Sequence, residues 1–116
     1  MPQLSQEVLE RHLSSARDYL VHAARFHQVV DYSDVYRAMG TGRGYIGQVL
    51  DEINRREHAA GRPLLSAIVV TKQGGAPSRG FFTVATELGL YEGGDKQSFW
   101  TEQRDLVWNF DWRRGA

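Results

Sequence analysis

The chain has 116 residues, enough for one domain and short for two. Apolar residues make up 41% and charged residues 24%, the profile of a folded globule rather than a disordered tail. Fourteen basic side chains balance fourteen acidic ones, so any pull toward DNA or an anionic surface must come from local asymmetry. Cysteine is absent, which excludes disulfides, thiolate zinc sites, iron–sulfur clusters and cysteine nucleophiles. The longest apolar stretch, around Leu64–Val70, falls far below the roughly 20 residues of a membrane span. The opening MPQLSQEVLERH has no basic head followed by an apolar run, so the expected location is cytoplasmic.

Leu9, Leu13, Ala16, Leu20 and Ala24 recur at helical spacing and predict a first helix within Leu4–His27. Ser5 is its expected cap, with Leu4 stapled onto Leu9. Gln28–Tyr32 is short and β-prone. Ser33 is the expected cap of a brief helix over Asp34–Met39, which Gly40 closes in the left-handed conformation that glycine adopts at least cost. After the Gly40–Gly44 loop, Ile46, Val49, Leu50 and Ile53 give one face of a helix over Tyr45–Ala60, with Gly61 and Pro63 beyond it. Leu64–Lys72 has strand composition, and a turn over Gln73–Gly80 follows. Gly80–Phe82 either returns as a second strand or leads directly into a helix over Thr83–Leu88. A polar connection, Leu90–Lys96, precedes a terminal helix over Gln97–Trp112; Arg113–Ala116 is an expected frayed end.

Two short helices joined by a glycine-bearing turn and followed by a hairpin make a winged helix-turn-helix pattern. The fold class expected is therefore α+β, mainly helical, in a single domain. Its core would span 28–88, with one β-hairpin and flanking helices over 5–27 and 97–112.

Tyr32-Ser33-Asp34-Val35-Tyr36-Arg37-Ala38-Met39-Gly40 resembles the first helix of bacterial winged helix-turn-helix domains. Gly44–Ile53, Arg62-Pro63-Leu64-Leu65 and the apolar strand after them resemble the DNA-binding half of methylated-DNA alkyltransferases and their relatives. The similarity spans Val30–Phe82. It implies DNA binding but not the family's chemistry. That family carries a reactive cysteine beside a histidine and an arginine after the proline-bearing segment, whereas Leu65–Val70 holds neither Cys nor His. Alkyl transfer to a protein thiol is excluded.

Helical projection turns Gly44, Gln48, Asp51 and Arg55 away from the apolar face of the third helix. In a winged domain that helix enters the major groove and the hairpin touches phosphate or minor groove. Gln48 suits an adenine edge, Arg55 a guanine edge or phosphate, and Arg43 a phosphate at the helix start. Small Gly44 and Gly47 permit close approach, and Lys72 and Arg79 bracket the hairpin tip. From Arg37 to Arg79 seven basic residues stand against Asp51, Glu52 and Glu57, a local surplus that favours phosphate. Asp51 opposes it, because a carboxylate on the same face repels phosphate.

Other signals have simpler readings. Gly42-Arg43-Gly44-Tyr45-Ile46-Gly47 matches G-x-G-x-x-G, but a helix precedes it where a dinucleotide site needs a strand. His12, His22, His27 and His58 lack metal-clip spacing, and no nucleophile–base or paired-carboxylate pattern is visible. No cofactor, metal or enzymatic activity is expected. On the terminal helix Trp108 and Trp112 project away from the Trp100, Val107 and Phe110 face. They form either a packing surface for the first helix or an interface for a homodimer or protein partner. The leading expectation is a non-catalytic double-stranded DNA-binding protein, a small bacterial or phage regulator. The alternative is a protein-interaction adaptor or inhibitor on the same fold.

Overall fold

A computed structural model describes residues 5–40, 43–73 and 75–112, with the backbone alone at Arg43. Its helices are α1 (Gln6–Arg25), α2 (Tyr32–Met39), α3 (Ile46–Ala59), α4 (Arg79–Glu87) and α5 (Lys96–Asn109). Two short strands, β1 (Val30–Asp31) and β2 (Val69–Val70), complete an α+β chain that is mainly helical. Arg43–Tyr45 and Leu65–Ile68 form 3-10 turns. The expected staple at Leu4, the Thr41–Gly42 part of the loop, Gly74 and Arg113–Ala116 lie outside the described residues. No described helix is long and apolar enough to cross a membrane.

α1 starts where Ser5 Oγ accepts the Val8 N–H, and it buries Leu13, Ala16, Leu20, Ala23 and Ala24 on one face. It stops at His27, whose φ of 53° is left-handed. His27 and Gln28 donate their N–H groups back to Ala24 and Ala23, closing the free carbonyls. A non-glycine residue there costs about 1–2 kcal/mol. Stacking of the imidazole on Trp108, with ring centroids 5.5 Å apart, offsets part of that cost.

The cap of α2 differs from the sequence expectation. Asp31, not Ser33, is the cap: its carboxylate accepts the Asp34 N–H, and Asp34 accepts the Asp31 N–H in return. Ser33 donates its hydroxyl to Asp31 at 2.5 Å, so it braces the cap from the first turn. Gly40 ends α2 at φ 73°, as its position predicts.

The hairpin is the main correction. β1 and β2 pair in parallel, Val30 with Val69 and Asp31 with Val70, and Gly80–Phe82 belongs to α4. No antiparallel ribbon is present among the described residues. The apolar run 64–69 is buried throughout. Its composition therefore reflects burial on all sides, and most of it is a 3-10 turn rather than a strand. Its polar groups are satisfied by distant partners. Ser66 donates its N–H to Asn54 and accepts the Asn54 amide at 2.7 Å, while Ala67 O accepts the Trp100 indole at 2.7 Å. After Pro77, buried Phe81, Val84 and Ala85 recur at helical spacing, which makes the return segment a helix.

Buried residues from all seven elements join one core. One charged group is buried with it. Glu57 is 1% exposed and receives Arg17 Nε at 2.9 Å and Arg62 Nε at 2.6 Å, tying α1 and the Arg62–Pro63 turn to the end of α3. Burial pushes its carboxyl up, but the two guanidiniums outweigh that and hold it below the ordinary 4.5. Its folded value is depressed, so its stabilising contribution is complete above the unfolded value and disappears as pH falls through the folded one. Glu57→Gln should cost about 3 kcal/mol in urea denaturation, because two guanidiniums lose their counter-charge, and should flatten the acid limb of the stability profile. A loss below about 1 kcal/mol, the range of an exposed pair, would contradict this role.

Candidate functional site

The parallel pair places the start of α2 beside the segment leading into α4. There Tyr32 donates its hydroxyl to Ser78 Oγ at 2.8 Å and accepts the Ser78 N–H at 3.3 Å. Ser78 is the cap residue of α4, yet its side chain makes no cap bond, and the first turn of α4 carries no acid. The N–H groups of Arg79 and Gly80 therefore have no acceptor within the helix. Arg79 and Gly80 border a cleft of about 420 Å³ that is also lined by Gly47, Gln48, Asp51 and Tyr32. Asn54 and Ser66 close its floor as a mutually bonded buried pair.

Gln48 and Arg79, thirty-odd residues apart in sequence, thus meet across one cleft. Both are exposed, and Arg79 has no ion-pair partner among the described residues. Arg55 is elsewhere engaged. It bonds Asp51 at 2.8 Å and also Glu87, and both carboxylates, Asp51 first, raise its already high pKa. Arg56 is gripped in the same way by Glu10 at 2.6 Å and Glu52 at 2.8 Å. The second half of α3 is accordingly a mixed, neutralised surface and not the cationic stripe that the residue count suggested. Lys72 is exposed after β2 near Asp31, whose carboxyl is held low by the Ser33 hydroxyl, then the Asp34 N–H, with Lys72 adding to it. The Arg43 side chain lies outside the described residues.

Gly44 and Gly47 carry the most informative geometry. Both are exposed, neither has a positive φ, and a Cβ on either would meet no described atom within 4 Å. Among the described residues nothing requires glycine at these two positions, although glycine at the helical position Gly47 costs up to about 1 kcal/mol relative to alanine.

The two tryptophans divide between burial and partial exposure. Trp112 is 1% exposed and donates its indole N–H to Val107 O at 2.8 Å, with Arg17 of α1 5.9 Å above its ring. It is core, packed by the first helix, and offers no interface. Trp108 is half-buried: it donates to Gln28 O at 3.1 Å and is covered by His27 and Arg104. Among the described residues, no group of three or more His, Asp or Glu side chains is placed to hold a metal ion.

Compared with models of protein families, with curated proteins and with solved structures, the chain matches none. Its functional reading rests on its own geometry.

The Tyr32–Ser78 link is what sequence reading missed, because 46 residues separate the partners. Tyr32→Phe should lower stability by about 1 kcal/mol, the usual net value of such a bond. Hydrogen exchange at the Ser78 amide should accelerate with it. Unchanged exchange there would show that the hydroxyl does not hold the start of α4.

Proposed function

We propose that this chain is a non-catalytic double-stranded DNA-binding module that meets the duplex with the first turns of α3 and α4. The observation that carries the reading is the pair of exposed glycines, Gly44 and Gly47, which no contact among the described residues requires. A smooth helix start lets backbone approach a groove that a side chain would hold off. Gln48, beside them, has the donor–acceptor pair that fits an adenine edge. Arg79 and the free N–H groups of α4 supply the phosphate contacts that fix register. In this reading α2 and α3 are the helix-turn-helix, and the start of α4 takes the place of the expected wing. Arg55 changes role: it neutralises Asp51 and Glu87, removing carboxylates that would repel the strand, instead of reading a base.

A specific observation favours the rival, a protein-interaction adaptor. The second half of α3 presents Arg55 and Arg56 already paired with carboxylates, a surface better suited to a protein than to a polyanion. The two readings separate on salt. A DNA module binds random duplex at low salt and weakens steeply as salt rises, whereas the adaptor shows no such binding.

Fluorescence anisotropy with labelled duplex tests the proposal. Gly47→Ala should raise thermal stability by a few tenths to about 1 kcal/mol while weakening DNA binding. Gly47→Leu and Arg79→Glu should each cost about tenfold or more in affinity, equivalent to about 1.4 kcal/mol. Arg55→Gln should change it less than about threefold, a surface charge already neutralised. Absence of salt-dependent binding, or wild-type affinity in both Gly47→Leu and Arg79→Glu, would overturn the reading.

A further inference from the structure

Arg79 borders a second cleft, of about 310 Å³, between the loop at Ala76–Pro77, α4 and the start of α5. Lys96 stands on its other side, with Phe82 and Trp100 as walls and no carboxylate in the lining. Six of the cations among the described residues are committed: Arg17, Arg37, Arg55, Arg56, Arg62 and Arg104 all hold carboxylates. Arg79 and Lys96 have no such partner among the described residues, yet two separate helices bring them to one concavity.

Lys96 is also positioned. Its ammonium lies 5.3 Å over the Phe82 ring, and that ring packs on Tyr91 and Phe99 at 5.6 and 6.3 Å. Such a platform fixes a flexible lysine at modest cost. Trp100 is anchored behind it through its indole bond to Ala67. Two donors of positive charge over apolar walls suit an anion with an apolar attachment, as a phosphodiester has in its sugar.

We propose that this cleft binds a backbone phosphate of the same nucleic acid, held between Arg79 and Lys96. The inference rests on the DNA reading above and extends it: a strand seated on Gln48 and Arg79 continues along α4 to Lys96. Phosphate is the recognised chemistry, and its source, a polynucleotide or a free anion, is separated by the experiment.

Duplex affinity is measured against salt for the wild type and Lys96→Gln, with a thermal melt confirming that the variant folds. If Lys96 holds a phosphate, the slope of log affinity against log salt falls by about 0.9 in Lys96→Gln, the value for one contact. An unchanged slope with normal wild-type binding overturns the second cleft and leaves the DNA reading intact. In parallel, inorganic phosphate is titrated while the Trp100 indole N–H signal is followed by NMR. If duplex fails to bind but phosphate moves that signal in the wild type and not in Lys96→Gln, the cleft takes a free anion and the nucleic-acid source is overturned. If neither ligand acts, both proposals fall.

Discussion

The parallel contact of Val30–Asp31 with Val69–Val70 determines where the other groups of this protein lie. A two-residue ribbon has no stability of its own. It persists because Val30 and Val69 are buried and because Asp31 serves twice, pairing with Val70 and capping α2. Parallel strands need a long connection, and α2 and α3 supply it. The return from β2 then passes Tyr32, whose hydroxyl takes both groups of Ser78, and α4 begins against α3. An antiparallel ribbon in the same place would have sent Arg79 to a hairpin tip. The parallel pair sends it to the cleft opposite Gln48.

Charge follows the same geometry. The zero net charge is largely spent inside the chain: Glu57 draws in two arginines, and Glu10, Glu52, Asp51 and Glu87 hold Arg55 and Arg56. Exposed pairs of this kind contribute little stability. Their larger effect is on the field at the surface, since among the described residues the cations they leave unpaired on the α4 side are Arg79 and Lys96. A count of basic residues between Arg37 and Arg79 does not reveal this, because it weighs a guanidinium between two carboxylates the same as a free one.

Helical elements were legible where periodicity and end signals agreed. Ser5 caps α1, Gly40 ends α2 in the left-handed conformation, and Ile46, Val49, Leu50 and Ile53 face inward as the spacing requires. The hairpin was misread because Leu64–Val70 is apolar for a different reason: it threads the centre of the core. Which of the two readings holds for Trp112 was not legible, because it follows the last turn of α5 and folds back on Val107, which a helical projection cannot represent. Gln48 and Arg79 were legible as candidates, but their meeting across a cleft was not. Lys96 was passed over as part of a polar connection, and only tertiary packing on Phe82 gives it a partner surface.

Chemical-shift mapping of the labelled chain during titration with duplex DNA tests the placement of the contact surface most directly. If the first turns of α3 and α4 meet the duplex, the amides of Gly44, Gly47, Gln48 and Gly80 move together, and those from Arg55 to Ala59 stay still. Shifts centred on the second half of α3 or on the outer face of α5 around Leu106, or no shifts at all, would contradict it.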